Sequence, residues 1–216
     1  MSSGLEPTTP WNVAVEYFRL FRSGIPVSSE ASKTRPHLLQ WQEEFLEQTV
    51  APDVAHGTFT GRDLLLEGMK QISLFHSDFD MELRALECGP NDSIVATIVS
   101  IAGIDENTLR NAFPHLIPDH QGSLPSGPDG SGEKLSSIAA KLLGHRMVVQ
   151  GTVEFHWDKE SKRMAGLHHK ADLLTPLLQL VGSLEDVASV FEHFVLTPDA
   201  EFVRKERLQQ TPVSAA

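Results

Sequence analysis

Three histidines are the residues of this sequence whose type best suits acid–base chemistry. An imidazole titrates near neutral pH, so His56, His168 and His169 could each transfer a proton in a catalytic site. His168 and His169 are neighbours in a segment with strand-like alternation, which directs their side chains to opposite faces of a sheet. They therefore cannot bind one metal ion together. His56 and His169 are the catalytic candidates, and the competing interpretation of each is a hydrogen-bonded histidine of the core.

Other reactive residue types occur without the neighbours that catalysis needs. Residues 76–80 offer nitrogen and oxygen ligands for a metal ion, but acids at a helix–strand junction are usually solvated. Cys88 is the single cysteine, which excludes an internal disulfide, and nothing beside it in the sequence favours an activated thiol. Zinc-protease, phosphate-loop and nucleophile-elbow motifs are absent from the sequence. The sequence therefore predicts neither a metal site nor a cofactor.

Composition restricts the partners of the chain. Its 216 residues are 40% hydrophobic, enough to bury the core of one domain. Eighteen basic and 29 acidic residues give a net charge of −11, so we expect no direct nucleic-acid contact, which depends on clustered Lys and Arg. The first residues lack the apolar core of a signal peptide, and no apolar run approaches the roughly 20 residues of a membrane span. We expect an intracellular protein, cytoplasmic or nuclear, with no membrane partner.

Strand periodicity is clearest over residues 145–171, where two alternating runs flank a polar turn at 157–162 and predict a long β-hairpin. The buried face of its first strand is predicted to comprise Met147, Val149, Val153 and Phe155. Residues 79–85 alternate in the same way. Residues 93–104 are apolar at nearly every position, which predicts a central strand covered on both faces. These segments predict an antiparallel sheet of about four strands.

Helical periodicity precedes and follows this sheet. Thr9 and Pro10 are typical of a helix start, and apolar residues at helical spacing continue until Gly24. We expect its core stripe to comprise Trp11, Val15 and Phe18 with either Val13 or Tyr17, extended by Leu20 and Phe21. Further helices are predicted near residues 37–50, 62–75, 107–113, 134–143, 172–181 and 183–194. Together the elements predict one domain over residues 1–195 with an insertion at 105–144, and a weakly structured tail at 196–216.

The order of these elements resembles the cone-shaped α+β fold of nuclear transport factor 2-like domains. The residues that carry this resemblance are DVAHG at 53–57, followed by Thr60, Gly61 and an apolar helix, and the similarity covers roughly residues 10–172. It implies a curved antiparallel sheet of four or more strands wrapped around the N-terminal helices, with C-terminal helices added. It also implies a pocket inside the cone, with Tyr17, His56, Phe155 and His169 as the expected lining.

Longer segments resemble the accessory domain that follows a basic leucine zipper in a group of water-mould proteins. They are AVEYFRLFRSG (14–24), TLRNAFPHL (108–116), KLLGHRMVVQG (141–151) and DLLTPLLQLVGSLEDVASVF (172–191). No basic region and no sustained heptads precede the domain in this sequence, so the resemblance does not extend to direct DNA binding. What it implies is a regulatory or dimer-forming role.

The resemblance also implies where a catalytic acid would lie. Enzymes that resemble ketosteroid isomerase carry a carboxylate on the short strand between helices two and three. Residues 56–59 contain no acid, and Asp53 lies too early. We therefore predict a non-catalytic binding or dimerisation module, forming a homodimer or binding a protein partner through Gln150, Thr152 and His168. Two alternatives stay open: an isomerase- or dehydratase-like enzyme that uses His56 or His169, and a sensing domain that binds a small apolar ligand.

Overall fold

The computed structural model describes residues 9–27, 33–117 and 136–202. Its helices are α1 (Pro10–Phe21), α2 (Leu38–Thr49), α3 (Arg62–Phe75), α4 (Glu106–Ala112), α5 (Ser137–Leu142), α6 (Leu174–Val181) and α7 (Leu184–Phe191). Its strands are β1 (Val50–His56), β2 (Phe59–Thr60), β3 (Asp80–Cys88), β4 (Ile94–Gly103), β5 (Arg146–Asp158) and β6 (Arg163–Ala171). No helix of the described part is long and apolar enough to cross a membrane.

The strands form one six-stranded sheet in the order β2-β1-β6-β5-β4-β3. Neighbouring strands are antiparallel except for β1 and β6, which are parallel and are separated in the chain by three helices and four further strands. Irregular pairing near Leu83 and again at His156–Trp157 introduces bulges, which bend and twist a sheet. The predicted fold class, a curved and mainly antiparallel sheet around N-terminal helices with C-terminal helices added, is confirmed.

Helix α1 packs against the inner face of this sheet. The Thr9 hydroxyl accepts a hydrogen bond from the Asn12 amide and caps the helix, as the sequence predicts. Its buried stripe comprises Val13, Ala14, Tyr17, Phe18, Leu20 and Phe21. Trp11 and Val15 are 40% and 51% exposed, so their predicted place in the core is wrong. They lie one turn apart on the opposite side of the helix, a spacing that is equally compatible with a buried stripe.

Strand β4 is buried on one face only. Its even-numbered residues face inward: Ile94, Ala96, Ile98, Ser100 and Ala102 are all buried. On the outer face Thr97 is exposed, and Val95, Val99 and Ile101 are half-buried. The prediction that this strand is covered on both faces is therefore wrong, because the helices described here pack on the inner side of the sheet.

The core consists of two clusters of buried side chains. The first joins α1 and α2 to the sheet and includes Phe18, Leu46 and Phe155. The second joins α4 to α7 to the sheet and includes Phe113 and Leu177. Residues of the predicted insertion thus supply part of the second cluster. The loop predicted at 122–132 lies outside the described residues.

Residues 196–202 pack onto the cone, although the sequence places them in a weakly structured tail. Leu196 and Phe202 form an isolated β-bridge. The Ala171 amide donates to the Asp199 carbonyl and the Leu173 amide to the Pro198 carbonyl, each at 3.0 Å. The segment is held by backbone hydrogen bonds and by buried Leu196, which explains why its polar sequence alone predicts no structure. Residues 203–216 lie outside the described part.

Candidate functional site

A cavity of about 150 Å³ lies inside the cone, bordered by the inner face of the sheet, by α1 and α3, and by the second core cluster. A cavity of this volume with apolar walls can hold a benzene-sized molecule. Its apolar lining includes Phe21, Leu65, Met69, Ile72, Phe79, Met81, Phe113, Met147, Val149, Leu167, Leu173, Leu177, Phe194 and Leu196. A smaller cleft of about 10 Å³ adjoins it and shares His56, His169, Ala200 and Phe202 with it.

The cavity exists because short side chains border it on both sides. Ser100, Ala102 and Ala171 form part of the sheet wall, and Gly68 and Ser73 form part of the α3 wall. A Cβ atom at Gly68 would lie 2.8 Å from the Phe202 ring, so the absence of a side chain lets Phe202 lie against the helix. The cavity is therefore the volume that these residues leave unfilled.

The walls of the cavity carry no formal charge. Among its described lining residues there is no Asp, Glu, Lys or Arg. The polar side chains that border it are Tyr17, His56, Ser73, His76, Ser100 and His169. Burying an unpaired charge in such surroundings is costly, so the cavity excludes an ionised ligand.

His169 is a neutral imidazole at the wall of the cavity. It lies on β6 opposite Val153, with its side chain on the inner face. Burial lowers the pKa of His169 to about 4, and neighbouring His56 acts in the same direction. Its side chain makes no hydrogen bond within the described part of the chain. His169 can therefore act as a neutral hydrogen-bonding group at physiological pH.

Two further histidines are oriented by backbone carbonyls. The His56 Nδ1 atom lies 3.0 Å from the Leu167 carbonyl, and the His76 Nδ1 atom lies 3.0 Å from the Gly103 carbonyl. Because a carbonyl oxygen only accepts, each Nδ1 carries the hydrogen. Burial lowers the pKa of His76, although its backbone hydrogen bond opposes the shift. The Nε2 atom of neutral His76 is consequently an acceptor.

Tyr17 connects the cavity to the aromatic part of the core. Its ring contacts those of Phe18, Phe21 and Phe155, at centroid distances of 5.2, 5.0 and 5.4 Å. Burial raises the pKa of Tyr17, which keeps its phenol protonated. Tyr17, His56 and His169 therefore border the same cavity. Phe155 does not border the cavity, because the Tyr17 ring lies between Phe155 and the cavity.

The sequence missed two polar residues of the cavity. The sequence offers His76 only as a potential metal ligand, and Ser100 is one polar position in an otherwise apolar run, yet both border the cavity. The sequence does contain an indication for Ser100. It is a polar residue at an even-numbered position of β4, like Ile94, Ala96 and Ile98, which face inward. The described residues contain no group of three or more His, Cys, Asp or Glu suited to a metal ion. Asp78 instead accepts from the Gly103 amide at 2.7 Å and pairs with Arg146 at 3.0 Å.

The predicted dimer residues lie on the outer face of the sheet. Gln150 and Thr152 are exposed on β5, and His168 is half-buried on β6 opposite Glu154. The ring of His168 is 5.3 Å from that of His156. Burial lowers the pKa of His168, and His156 adds to this effect while Glu154 opposes it. Outer-face Glu154 accepts a hydrogen bond from Ser93 at 2.9 Å and does not border the cavity, so it orients neither His56 nor His169.

This arrangement of strands and helices is consistent with the nuclear transport factor 2-like cone that the sequence resembles. A family model described as the BZIP transcription factor 1 C-terminal domain matches residues 11–75, from α1 to the end of α3. The resemblance to bZIP-associated domains is thereby confirmed for that part of the chain, which contains Tyr17 and His56. No curated protein matches the chain.

Several solved structures are similar to this chain. A SnoaL-like protein from Jannaschia sp. CCS1 is 11% identical with a TM-score of 0.48, and the match covers 85% of this chain and 98% of that one. TsrD from Streptomyces laurentii is 14% identical with a TM-score of 0.47, over 83% and 99%. An NTF2-like protein of unknown function from Exiguobacterium sp. 255-15 is 10% identical with a TM-score of 0.44, over 76% and 99%.

Proposed function

We propose that this chain is a non-catalytic regulatory module, related to bZIP accessory domains, that binds a small uncharged molecule inside its cone. The observation that carries the proposal is the cavity of about 150 Å³, whose described lining is apolar and free of charged residues. Transfer of an apolar molecule from water into such a site is favourable. The net charge of −11 opposes direct DNA contact, so the regulatory output passes through protein contacts.

Binding is favoured over catalysis by the state of the polar groups. A general acid or base works best with a pKa near the operating pH, whereas that of His169 is about 4. Tyr17 stays protonated. No carboxylate borders the cavity among the described residues, and Glu201, which lines the adjoining cleft with His56 and His169, makes no side-chain hydrogen bond to either imidazole in the described part of the chain. His169 and Tyr17 can therefore form hydrogen bonds with a ligand, but they do not form an acid–base pair that transfers a proton.

A ligand in this cavity would connect the two core clusters. Tyr17 and Leu167 of the first cluster and Phe113 and Leu177 of the second border the same space. A molecule that fills it contacts both, and it stabilises the folded state by RT ln(1 + L/Kd), where L is the concentration of free ligand, so the stabilisation rises with that concentration. Ligand concentration is thereby converted into stability of the cone, which is the physical basis of a sensing role.

Toluene binding measured by calorimetry and by thermal unfolding tests this function. Toluene should raise the melting temperature of the wild-type chain and give a saturable heat of binding. Ala102→Leu adds three carbon atoms to the cavity wall and should abolish the effect. Val15→Leu, at an exposed position of α1 outside the cavity lining, is the control and should bind like the wild type. Absence of binding to the wild type, or equal binding by Ala102→Leu, would contradict the proposal.

The regulatory module acts as a homodimer through the outer face of the sheet. The β4–β5 part of this face is uncharged and comprises Thr97, Val99, Ile101, Val148, Gln150 and Thr152, with Asp80, Glu82 and Lys170 beside it on the neighbouring strands. Val148 is 56% exposed, and depletion of charge around exposed apolar side chains is typical of the centre of an interface. A second copy of the chain can cover this face, because two-fold packing places the uncharged β4–β5 patches of both subunits against each other.

A further inference from the structure

We infer that Ser100 is the hydrogen-bonding anchor of the cavity, and that the ligand is a single-ring, uncharged molecule with one hydroxyl or carbonyl group. This inference rests on the proposed function and specifies the ligand class. A phenol-sized compound has the required volume and polarity. The walls select against ions, and Ser100 selects for one polar atom at a fixed position.

The hydroxyl of Ser100 is buried without a partner. Ser100 lies in the middle of β4, is 8% exposed and borders the cavity. Within the described part of the chain its Oγ atom makes no hydrogen bond. A buried hydroxyl without a protein partner gains a hydrogen bond when a polar atom of another molecule reaches it. The geometry therefore offers one hydrogen-bonding group to a molecule inside the cavity.

Ser73 is the other serine among the described residues at the wall of the cavity, and its hydroxyl is already hydrogen-bonded to the protein. Ser73 borders the same cavity from α3, but its hydroxyl donates to the Met69 carbonyl at 3.0 Å and accepts from the Ile25 amide at 2.8 Å. It joins the helix to the segment that follows α1. Ser73 is a structural residue, whereas the hydrogen-bonding capacity of Ser100 is available to a ligand.

The neighbours of Ser100 determine how the rest of the ligand lies. Met81 and Val149 are its partners in the register of the adjacent strands, and Ala102 is next on the same face. All three are apolar and border the cavity. A single ring can lie on this apolar surface while its oxygen reaches Ser100. An uncharged hydroxyl or carbonyl is favoured because no described lining residue offers a counter-charge.

The test compares phenol with toluene, which has nearly the same shape but no hydroxyl group. Dissociation constants of both are measured by calorimetry for the wild type, Ser100→Ala and Ser161→Ala. Phenol gains less free energy than toluene on leaving water, so the two affinities are corrected for this difference before they are compared, and we expect the wild type to prefer phenol. Ser100→Ala should reduce that preference by roughly 2- to 12-fold, the range for a neutral hydrogen bond, with toluene affinity retained. Ser161→Ala removes a hydroxyl from the exposed turn between β5 and β6, outside the cavity lining, and should leave the preference unchanged.

The outcomes separate this inference from the proposed function. Equal phenol preference in the wild type and Ser100→Ala, with toluene bound by both, would overturn the anchor and leave cavity binding intact. Failure of the wild type to bind either compound would overturn both. Benzoate, tested in parallel at neutral pH, should not bind, and saturable benzoate binding in the cavity would overturn the uncharged ligand class. Thermal unfolding of each variant verifies that it is folded.

Discussion

Ser73 and Ser100 face one cavity from opposite walls, and only the hydroxyl of Ser73 is hydrogen-bonded to the described protein. The two alanine substitutions should therefore have different effects on the free energy of unfolding. Ser73→Ala leaves the Ile25 amide unpaired and should lower the free energy of unfolding by about 1–3 kcal/mol. Ser100→Ala removes an unsatisfied group and should leave that free energy unchanged or raise it by up to about 1 kcal/mol. Urea unfolding without ligand measures both, and a larger loss for Ser100→Ala than for Ser73→Ala would refute this difference.

His169 should make the protein sensitive to moderate acid. Its folded pKa of about 4 lies below the ordinary value of 6.5, so above pH 6.5 its imidazole is neutral in both states. Between pH 6.5 and 4 the unfolded chain binds a proton that the folded chain does not, and the free energy of unfolding falls. The loss approaches about 3 kcal/mol and levels off below pH 4. Urea unfolding at a series of pH values measures it.

His169→Gln should remove most of this acid-dependent loss. Part of it should persist, because burial also lowers the pKa of His76 and of His168. His193→Gln, at an exposed position, is the matched control and should keep the wild-type profile. If the His169→Gln profile coincided with that of the wild type, the burial of His169 in the folded state would be disproved.

Phe202 should control access to the cavity. Its ring lies 6.1 Å from that of His56, and it borders both the cavity and the adjoining cleft. Phe202→Ala should admit water to His169 and move the pKa of that residue upward from about 4, as measured by NMR titration. Toluene should also associate faster. Phe191→Ala, in the second core cluster away from the cavity, should change neither quantity, and an unshifted His169 in Phe202→Ala would contradict this role.

The outer face should lose its self-association when a charge is placed at its centre. Thr152→Arg introduces a cation beside Lys170, and two-fold symmetry would bring two such pairs of cations together. We expect the dimer dissociation constant to rise by at least about 10-fold, equivalent to about 1.4 kcal/mol. Sedimentation equilibrium measures it, with Gln48→Arg on exposed α2 as control. A wild-type chain that is monomeric at high micromolar concentration would rule out the dimer.

Local sequence patterns predicted most of the secondary structure. The hairpin of β5 and β6, the helix at 62–75 and the Thr9 cap all follow from interactions between residues close in the chain. Alternation also predicted that Val149, Val153 and Phe155 are buried. Such patterns reflect the side-chain repeat of about 3.6 residues in a helix and 2 in a strand, which is a property of the local backbone. The parallel pairing of β1 with β6 depends on contacts across more than 100 residues, and no local pattern encodes it.

The sequence by itself determined the elements, the inward parity of the sheet and the types of residue able to do chemistry. Only the tertiary structure decided that Ser100 and His76 border a cavity with Tyr17, His56 and His169, that Phe155 does not, and that Trp11 is exposed. The reason is that a cavity is the volume left when whole layers pack, so it depends on side chains from many elements at once. Burial likewise depends on which layer covers a face, and this determines the pKa of His169.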